Sequence, residues 1–231
     1  MNISNKVVVI TGASKGIGRE AALTFAQKGA KLAISARNEK LLKEVADQCP
    51  TDVLTFAGDM SDENDIINFI KATSKKFGRI DILVNNAGLG FFKPIIETST
   101  EEWDKMFNLN VRGLFITTRE TLPYLREAGE SVVVNVASLA GKNTNANLGG
   151  YSASKHAVIS FSRTLMIEER KNGIRVLTFC PGSVDTDFSP ASEEKKAKKL
   201  KVEDVVSSII HMIEMPQNAL ISEIDIRPIN P

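Results

Sequence analysis

Thr11-Gly12-Ala13-Ser14-Lys15-Gly16-Ile17-Gly18 closes a β-branched run that begins at Lys6 and opens onto Arg19-Glu20-Ala21-Ala22-Leu23, the start of a helical pattern. Strand, glycine turn and helix follow one another as a dinucleotide-binding turn requires. Gly12 suits the tight turn, Gly16 lets backbone approach a pyrophosphate, and Gly18 lets the helix lie close to the sheet. The helix N-terminus offers unpaired N–H groups and a partial positive charge to phosphates. Gly12, Ser14, Lys15, Gly16, Ile17 and Gly18 are therefore candidate cofactor-binding residues.

Outward from this turn, short β-branched runs alternate with amphipathic stretches, the mark of a parallel sheet covered by helices on both faces. Strands are expected near Lys6–Thr11, Lys31–Ser35, Asp52–Ala57, Ile80–Asn85, Ser131–Ala137, Ile174–Cys180 and Ala219–Ile224. Helices are expected over Gly16–Lys28, Glu39–Gln48, Glu63–Phe77, Thr100–Glu127, Tyr151–Asn172 and Val202–Glu214. Glycines at Lys28-Gly29, Phe77-Gly78 and Asn172-Gly173 stand where helix ends want a left-handed residue. The fold class is α/β: a three-layer Rossmann fold with a doubly wound, seven-stranded parallel sheet. No repeat or linker divides the chain, so 1–231 reads as one nucleotide-binding domain. The polar stretch 182–201, broken by Pro190 and carrying Glu193-Glu194-Lys195-Lys196-Ala197-Lys198-Lys199, reads as a solvated segment or as a lid over the substrate.

Composition narrows the partners. With 29 Lys and Arg against 28 Asp and Glu, the net charge of +1 argues against a general grip on nucleic acid or anionic membrane. No apolar run approaches the ~18 residues of a membrane span, and Met1-Asn2-Ile3-Ser4-Asn5-Lys6 has no signal-peptide profile, so a cytoplasmic location is expected. Cys49 and Cys180 read as small apolar residues, and His156 and His211 lack ligand spacing, which argues against a metal site.

Two positions speak to cofactor choice. The second strand ends Ile34-Ser35-Ala36-Arg37-Asn38, without the acid that would hold a ribose 2′-hydroxyl. Arg37 suits a 2′-phosphate and Lys15 adds charge, so NADP(H) is preferred over NAD(H). The candidate reaction centre is Tyr151 with Lys155, four apart on one helix face. A cation there is expected to draw the phenol down from about 10, fitting it to give a proton to a carbonyl oxygen or take one from an alcohol. Ser138 closes the fifth strand, at the sheet edge where ligands bind, and its hydroxyl suits the same oxygen.

With these motifs the chain resembles the short-chain dehydrogenase/reductase family, in its single-domain branch, from about Lys6 to Thr186. Asn85-Asn86-Ala87-Gly88 is similar to the family's Asn-Asn-Ala-Gly motif, and Asp59 in Gly58-Asp59-Met60 to its adenine-contacting acid. Asn110 resembles the asparagine that holds a proton-relay water. Pro181-Gly182-Ser183-Val184-Asp185-Thr186 resembles the segment lining the nicotinamide. The resemblance implies cofactor contacts from Asp59, Asn86, Ala87, Gly88, Tyr151, Lys155, Pro181, Gly182, Val184 and Thr186. It also implies a catalytic set of Asn110, Ser138, Tyr151 and Lys155, with Lys155 holding the nicotinamide ribose and lowering the tyrosine pKa. The implied activity is hydride transfer between NADP(H) and a carbonyl or secondary alcohol, 3-oxoacyl reductase-like or related.

The ending Ile224-Asp225-Ile226-Arg227-Pro228-Ile229-Asn230-Pro231 lacks the family's usual glycine pair, and its prolines suggest a tail packed along a neighbouring surface. Trp103, Phe107, Leu114, Phe115, Val158, Phe161 and Leu165 place apolar side chains on more than one helix face, from which a homodimer or homotetramer is expected. Leu89, Gly90, Phe91 and Phe92, the Leu139–Leu148 loop and Ser183 to Phe188 should line an apolar substrate pocket, with Lys142 facing solvent. The alternative function is a non-catalytic NAD(P)-sensing protein. A methyltransferase is disfavoured by the absence of an acid at Ala36 and Arg37.

Overall fold

The computed structural model describes residues 1–188 and 198–229. Its strands are β1 (Val7–Thr11), β2 (Lys31–Ala36), β3 (Val53–Ala57), β4 (Ile82–Asn85), β5 (Ser131–Val136), β6 (Ile174–Pro181) and β7 (Glu223–Ile226). They form one parallel sheet in the order β3-β2-β1-β4-β5-β6-β7. The helices are α1 (Gly16–Gln27), α2 (Glu39–Ala46), α3 (Glu63–Phe77), α4 (Thr100–Phe107), α5 (Leu114–Ala128), α6 (Gly149–Glu169) and α7 (Val202–Glu214).

Alternation along the central strands builds the three layers. Val8, Ile10, Ile82, Val84, Val132 and Val134 face a core shared with Phe25 of α1, Leu42 of α2 and Ile209 of α7. Val9, Leu83 and Val133 face the opposite core, shared with Phe69 of α3, Leu125 of α5 and Leu165 of α6. Each such residue, at no more than 4% exposure, contributes roughly 1.5–3 kcal/mol by burial. The buried stripe of α1 is mainly Ala21, Ala22 and Ala26, so its axis can approach the sheet closely.

From β1 the chain winds outward through β2 and β3, then returns to place β4 on the other side of β1. The crevice beyond the C-terminal ends of β1 and β4 is thus the switch point where ligands bind in open α/β sheets. This is the expected doubly wound Rossmann fold.

Three local readings differ. The single helix expected over Thr100–Glu127 contains a π segment, Asn108–Gly113, between α4 and α5. Gly113 there lies so close to the loop after β3 that an added Cβ would be 2.1 Å from the Met60 carbonyl oxygen. The last strand runs Glu223–Ile226 rather than Ala219–Ile224, because a turn bonding Ala219 N–H to the Pro216 carbonyl takes up the preceding residues. The fourth strand starts two residues later than expected, at Ile82. Asp81, just before it, is buried and accepts bonds from Val7 N–H, Lys6 and Arg79 instead of standing among apolar neighbours.

Of the proposed lid, residues 189–197 lie outside the described residues. The flanks are pinned together, since Asp185 N–H donates to the Leu200 carbonyl and Leu200 N–H to that of Ser183. The tail turns back on β6: Gly182 N–H donates to the Ile226 carbonyl at 2.8 Å, and Pro228 Cδ is 3.3 Å from where a Gly182 Cβ would be.

Candidate active site

The turn between β1 and α1 takes its shape from glycine. Gly12 has φ +69° and Gly16 φ +53°, in the left-handed region that side chains disfavour. A Cβ on Gly18 would lie 2.3 Å from the Gly12 carbonyl oxygen and 2.4 Å from Asn86 Nδ2. Asn86 clasps the turn from β4: Nδ2 donates to the carbonyls of Thr11 and Gly12 at 3.0 and 3.1 Å. Asn86 and Ala87 N–H both donate to Thr11 Oγ1.

Helices α2, α3 and α4 begin with capping side chains from Asn38, Asp62 and Ser99 and carry acids in their first turns. Helix α1 begins after Lys15 with neither. Its first N–H groups and positive dipole end face the glycine turn without an internal anion, which suits a phosphate. A backbone cradle that a Cβ would fill, at an uncapped helix start, fits the pyrophosphate of a nicotinamide dinucleotide.

Arg37 follows β2, is exposed, and pairs with no carboxylate among the described residues. Lys15 Nζ instead meets Asp187 at 3.2 Å, an exposed pair of small energetic weight. Asp59, after β3, uses Oδ1 to accept from the N–H and hydroxyl of Ser61.

Across the crevice, Ser138 follows β5, Tyr151 and Lys155 stand in the first turns of α6, and Asn110 lies in the π segment. Asn110 Oδ1 accepts from Leu89 N–H, while Nδ2 donates to the Leu89 carbonyl and to Ser154 Oγ. Ser154 Oγ donates to the Tyr151 carbonyl at 2.8 Å. Asn110 thus ties the loop after β4 to the helix carrying Tyr151. Gly88 fits between them, its added Cβ falling 3.3 Å from Asn110 Oδ1 and 3.6 Å from Lys155 Nζ.

Lys155 is buried and donates to the Val136 carbonyl at 2.8 Å; burial pulls its pKa down to about 8. The phenol departs from expectation. Burial pushes Tyr151 up, and the Ser138 hydroxyl offsets this only in part. The ammonium stands 5.9 Å from the tyrosine ring centre and spends a hydrogen bond on Val136, so in this arrangement desolvation outweighs the neighbouring cation. Chemically, the cluster sets a protonated phenol beside the Ser138 hydroxyl.

A family model described as short chain dehydrogenase matches residues 6–197. The chain belongs to the short-chain dehydrogenase family. An uncharacterized oxidoreductase of Staphylococcus saprophyticus is 35% identical over 99% of this chain and 100% of its own. A 3-ketoacyl-(acyl-carrier-protein) reductase from Brucella melitensis, complexed with NADH, superposes with TM-score 0.92 at 32% identity, covering 99% of each chain. An alcohol dehydrogenase from the archaeon Thermococcus sibiricus, complexed with 5-hydroxy-NADP, gives TM-score 0.90 at 30% identity over 99% of this chain and 98% of that one. The protein is therefore an NAD(P)-dependent oxidoreductase.

Within this short-chain dehydrogenase the segment after β6 reaches the glycine turn, since Thr186 Cγ2 would sit 3.1 Å from a Cβ on Gly16. Pro181 ends β6, and Gly182 and Val184 lie on the way there. Lys142 does not face solvent freely. It pairs with Glu223 at 2.5 Å and with Asp225, because β7 brings both carboxylates beside the loop after β5. Of the helix-face residues, Leu114, Val158 and Leu165 are buried in the chain itself, while Trp103 and Phe115 remain 42% and 43% exposed.

Sequence reasoning found the Asn85-Asn86-Ala87-Gly88 motif but missed the residues it bonds to. Asn85 Nδ2 donates to Thr118 Oγ1 and Asn135 Oδ1, and Asn135 Nδ2 to Ser162 Oγ, a buried chain beneath the site. A lone Asn inside Val132-Val133-Val134-Asn135-Val136 was the available signal. Ser154 and the Val136 carbonyl had none. Among the described residues no cluster could hold a metal, and no helix is long and apolar enough to cross a membrane.

Proposed function

We propose that the protein is an NADP(H)-preferring ketone reductase, 3-oxoacyl reductase-like or related, with Tyr151 as general acid in reduction and general base in oxidation. The observation that carries this reading is the grouping of Ser138 and Lys155 around Tyr151, with Asn110 tied through Ser154 to the same helix. Ser138 holds the substrate oxygen. Tyr151 gives it a proton, a role suited to a phenol that burial keeps protonated near neutrality. Lys155 holds the nicotinamide ribose hydroxyls, and Asn110 positions the loop and helix on either side. Gly12, Ser14, Gly16, Ile17 and Gly18 hold the pyrophosphate and Lys15 adds positive charge for the 2′-phosphate; Asp59 meets the adenine; Asn86, Ala87 and Gly88 support the sheet beside the cofactor; Pro181, Gly182, Val184 and Thr186 line the nicotinamide. When bound there, the reduced nicotinamide supplies the hydride that the carbonyl carbon accepts.

The chain acts as one cytoplasmic domain and assembles as a homodimer or homotetramer through the exposed faces around Phe115 and Trp103. Size-exclusion chromatography with light scattering tests the assembly, and a monomer overturns it.

Preference for the phosphorylated cofactor rests on Arg37, which is exposed and unpaired among the described residues. In a fluorescence titration NADPH should bind at least about tenfold tighter than NADH, and Arg37→Ala should remove most of that gap while leaving NADH affinity nearly unchanged. Tighter binding of NADH by the unsubstituted protein would refute the assignment.

The lowered Lys155 pKa sets a pH dependence. Below about 8 the amine is charged and serves the ribose; above it the charge is lost. Because kcat/KM reports ionisations of the free enzyme, kcat/KM for the reduced cofactor should be level below about pH 8 and fall above it. A profile rising through that range would contradict the role given to Lys155.

A further inference from the structure

The reductase reading names a reaction; the side chains around Tyr151 say more about the molecule. Three aromatic rings converge there. Phe92 meets Tyr151 edge-on at 5.5 Å between ring centres and 81° between planes. Phe188 lies 5.7 Å from Tyr151 and 5.9 Å from Phe92, tilted 53° and 62°. All three separations fall in the range of favourable aromatic pairs, about 4.5–7 Å. Gly90 makes the arrangement possible, because a Cβ there would be 2.7 Å from Phe92 Cζ and 3.0 Å from Tyr151 Cδ2. Phe188 is 41% exposed and is the most accessible of the three rings.

A substrate carbonyl that reaches the phenol must therefore part these rings. A flat ring entering between Phe92 and Phe188 replaces the ring contacts it breaks with contacts of the same kind. An open acyl chain breaks them and returns only ordinary apolar burial, so the slot discriminates between the two.

Charge points the same way. The segments that border the phenol carry two lysines, Lys93 and Lys142, and both are matched: Lys93 to Glu102 at 2.7 Å, Lys142 to Glu223 and Asp225. The segment leading to Phe188 contributes Asp185 and Asp187, with Asp187 paired to Lys15. Among the described residues neither of these lysines is left to anchor a carboxylate or phosphate.

We infer that the substrate is a neutral ketone whose carbonyl lies in or on a flat ring, with Phe92 and Phe188 as the specificity-determining walls. This rests on the reductase reading. The carbonyl carbon gains the hydride and its oxygen gains the Tyr151 proton. The ketone leaves as a secondary alcohol, the cofactor leaves oxidised, and the phenolate recovers its proton from solvent.

The test compares 1-tetralone, 2-octanone and acetoacetyl-coenzyme A with the purified full chain, supplying NADPH and NADH in separate assays. The expected kcat/KM for 1-tetralone exceeds that for either open-chain substrate by about tenfold or more, and Phe188→Ala and the milder Phe92→Leu each lower the tetralone-to-octanone ratio about tenfold. Calorimetry on protein saturated with NADP+ gives a readout free of turnover, in which Phe188→Ala should weaken 1-tetralone binding about tenfold. Preference for 2-octanone or the thioester, or a ratio that neither substitution moves, overturns the inference and leaves the reductase reading standing. Tight cofactor binding without oxidation by any of the three carbonyls overturns both.

Discussion

Tyr151→Phe should lower kcat for ketone reduction about a thousandfold, roughly 4 kcal/mol of barrier, while NADPH affinity changes by less than about threefold. The split follows from where the hydroxyl sits. Its neighbours are Ser138 and the walls formed by Phe92 and Phe188, whereas the glycine cradle, Asn86 and Arg37 lie across the crevice. The ring contacts survive in phenylalanine, so packing is retained and only the ionisable proton is removed. Stopped-flow turnover beside a fluorescence titration measures both quantities. Near-normal turnover would show that another group protonates the substrate. A parallel collapse of cofactor binding would show that the hydroxyl is structural.

Gly18→Ala should abolish measurable cofactor binding and also destabilise the fold. The added methyl would meet the Gly12 carbonyl oxygen at 2.3 Å and Asn86 Nδ2 at 2.4 Å, and neither can yield cheaply. The first is backbone of the cradle; the second makes the bonds that clasp β1 to β4. Helix α1 must then back away from the sheet, taking with it the N–H groups offered to phosphate. Overpacking of this kind costs roughly 1–3 kcal/mol, read as a lowered melting temperature, and cofactor affinity should drop at least about a hundredfold. A variant that melts normally and binds NADPH normally would mean that the turn is not the pyrophosphate site.

The parts legible beforehand were those whose physics is short-range. The unbroken β-branched run Val7-Val8-Val9-Ile10 assigned a buried strand, Gly12, Gly16 and Gly18 assigned a turn, and Gly78, observed at φ +73°, marked the end of α3. Each inference compares a residue with neighbours a few positions away. The π segment at Asn108–Gly113 escaped because its origin is remote: the helix must pass the Met60 carbonyl, which belongs to the loop after β3.

Electrostatics divides in the same manner. The order of residues was enough to place Tyr151 and Lys155 on one helix face and Arg37 directly after β2. It was not enough to say which way the phenol shifts, since that depends on how much water the folded chain removes and on Lys155 turning to the Val136 carbonyl. Nor was it enough for Lys142, whose acids arrive from β7 some eighty positions later. Covalent geometry and periodicity act along the chain and can be read from it. Desolvation, ion pairing and the convergence of Phe92 and Phe188 on Tyr151 act through space, and only folding sets those distances.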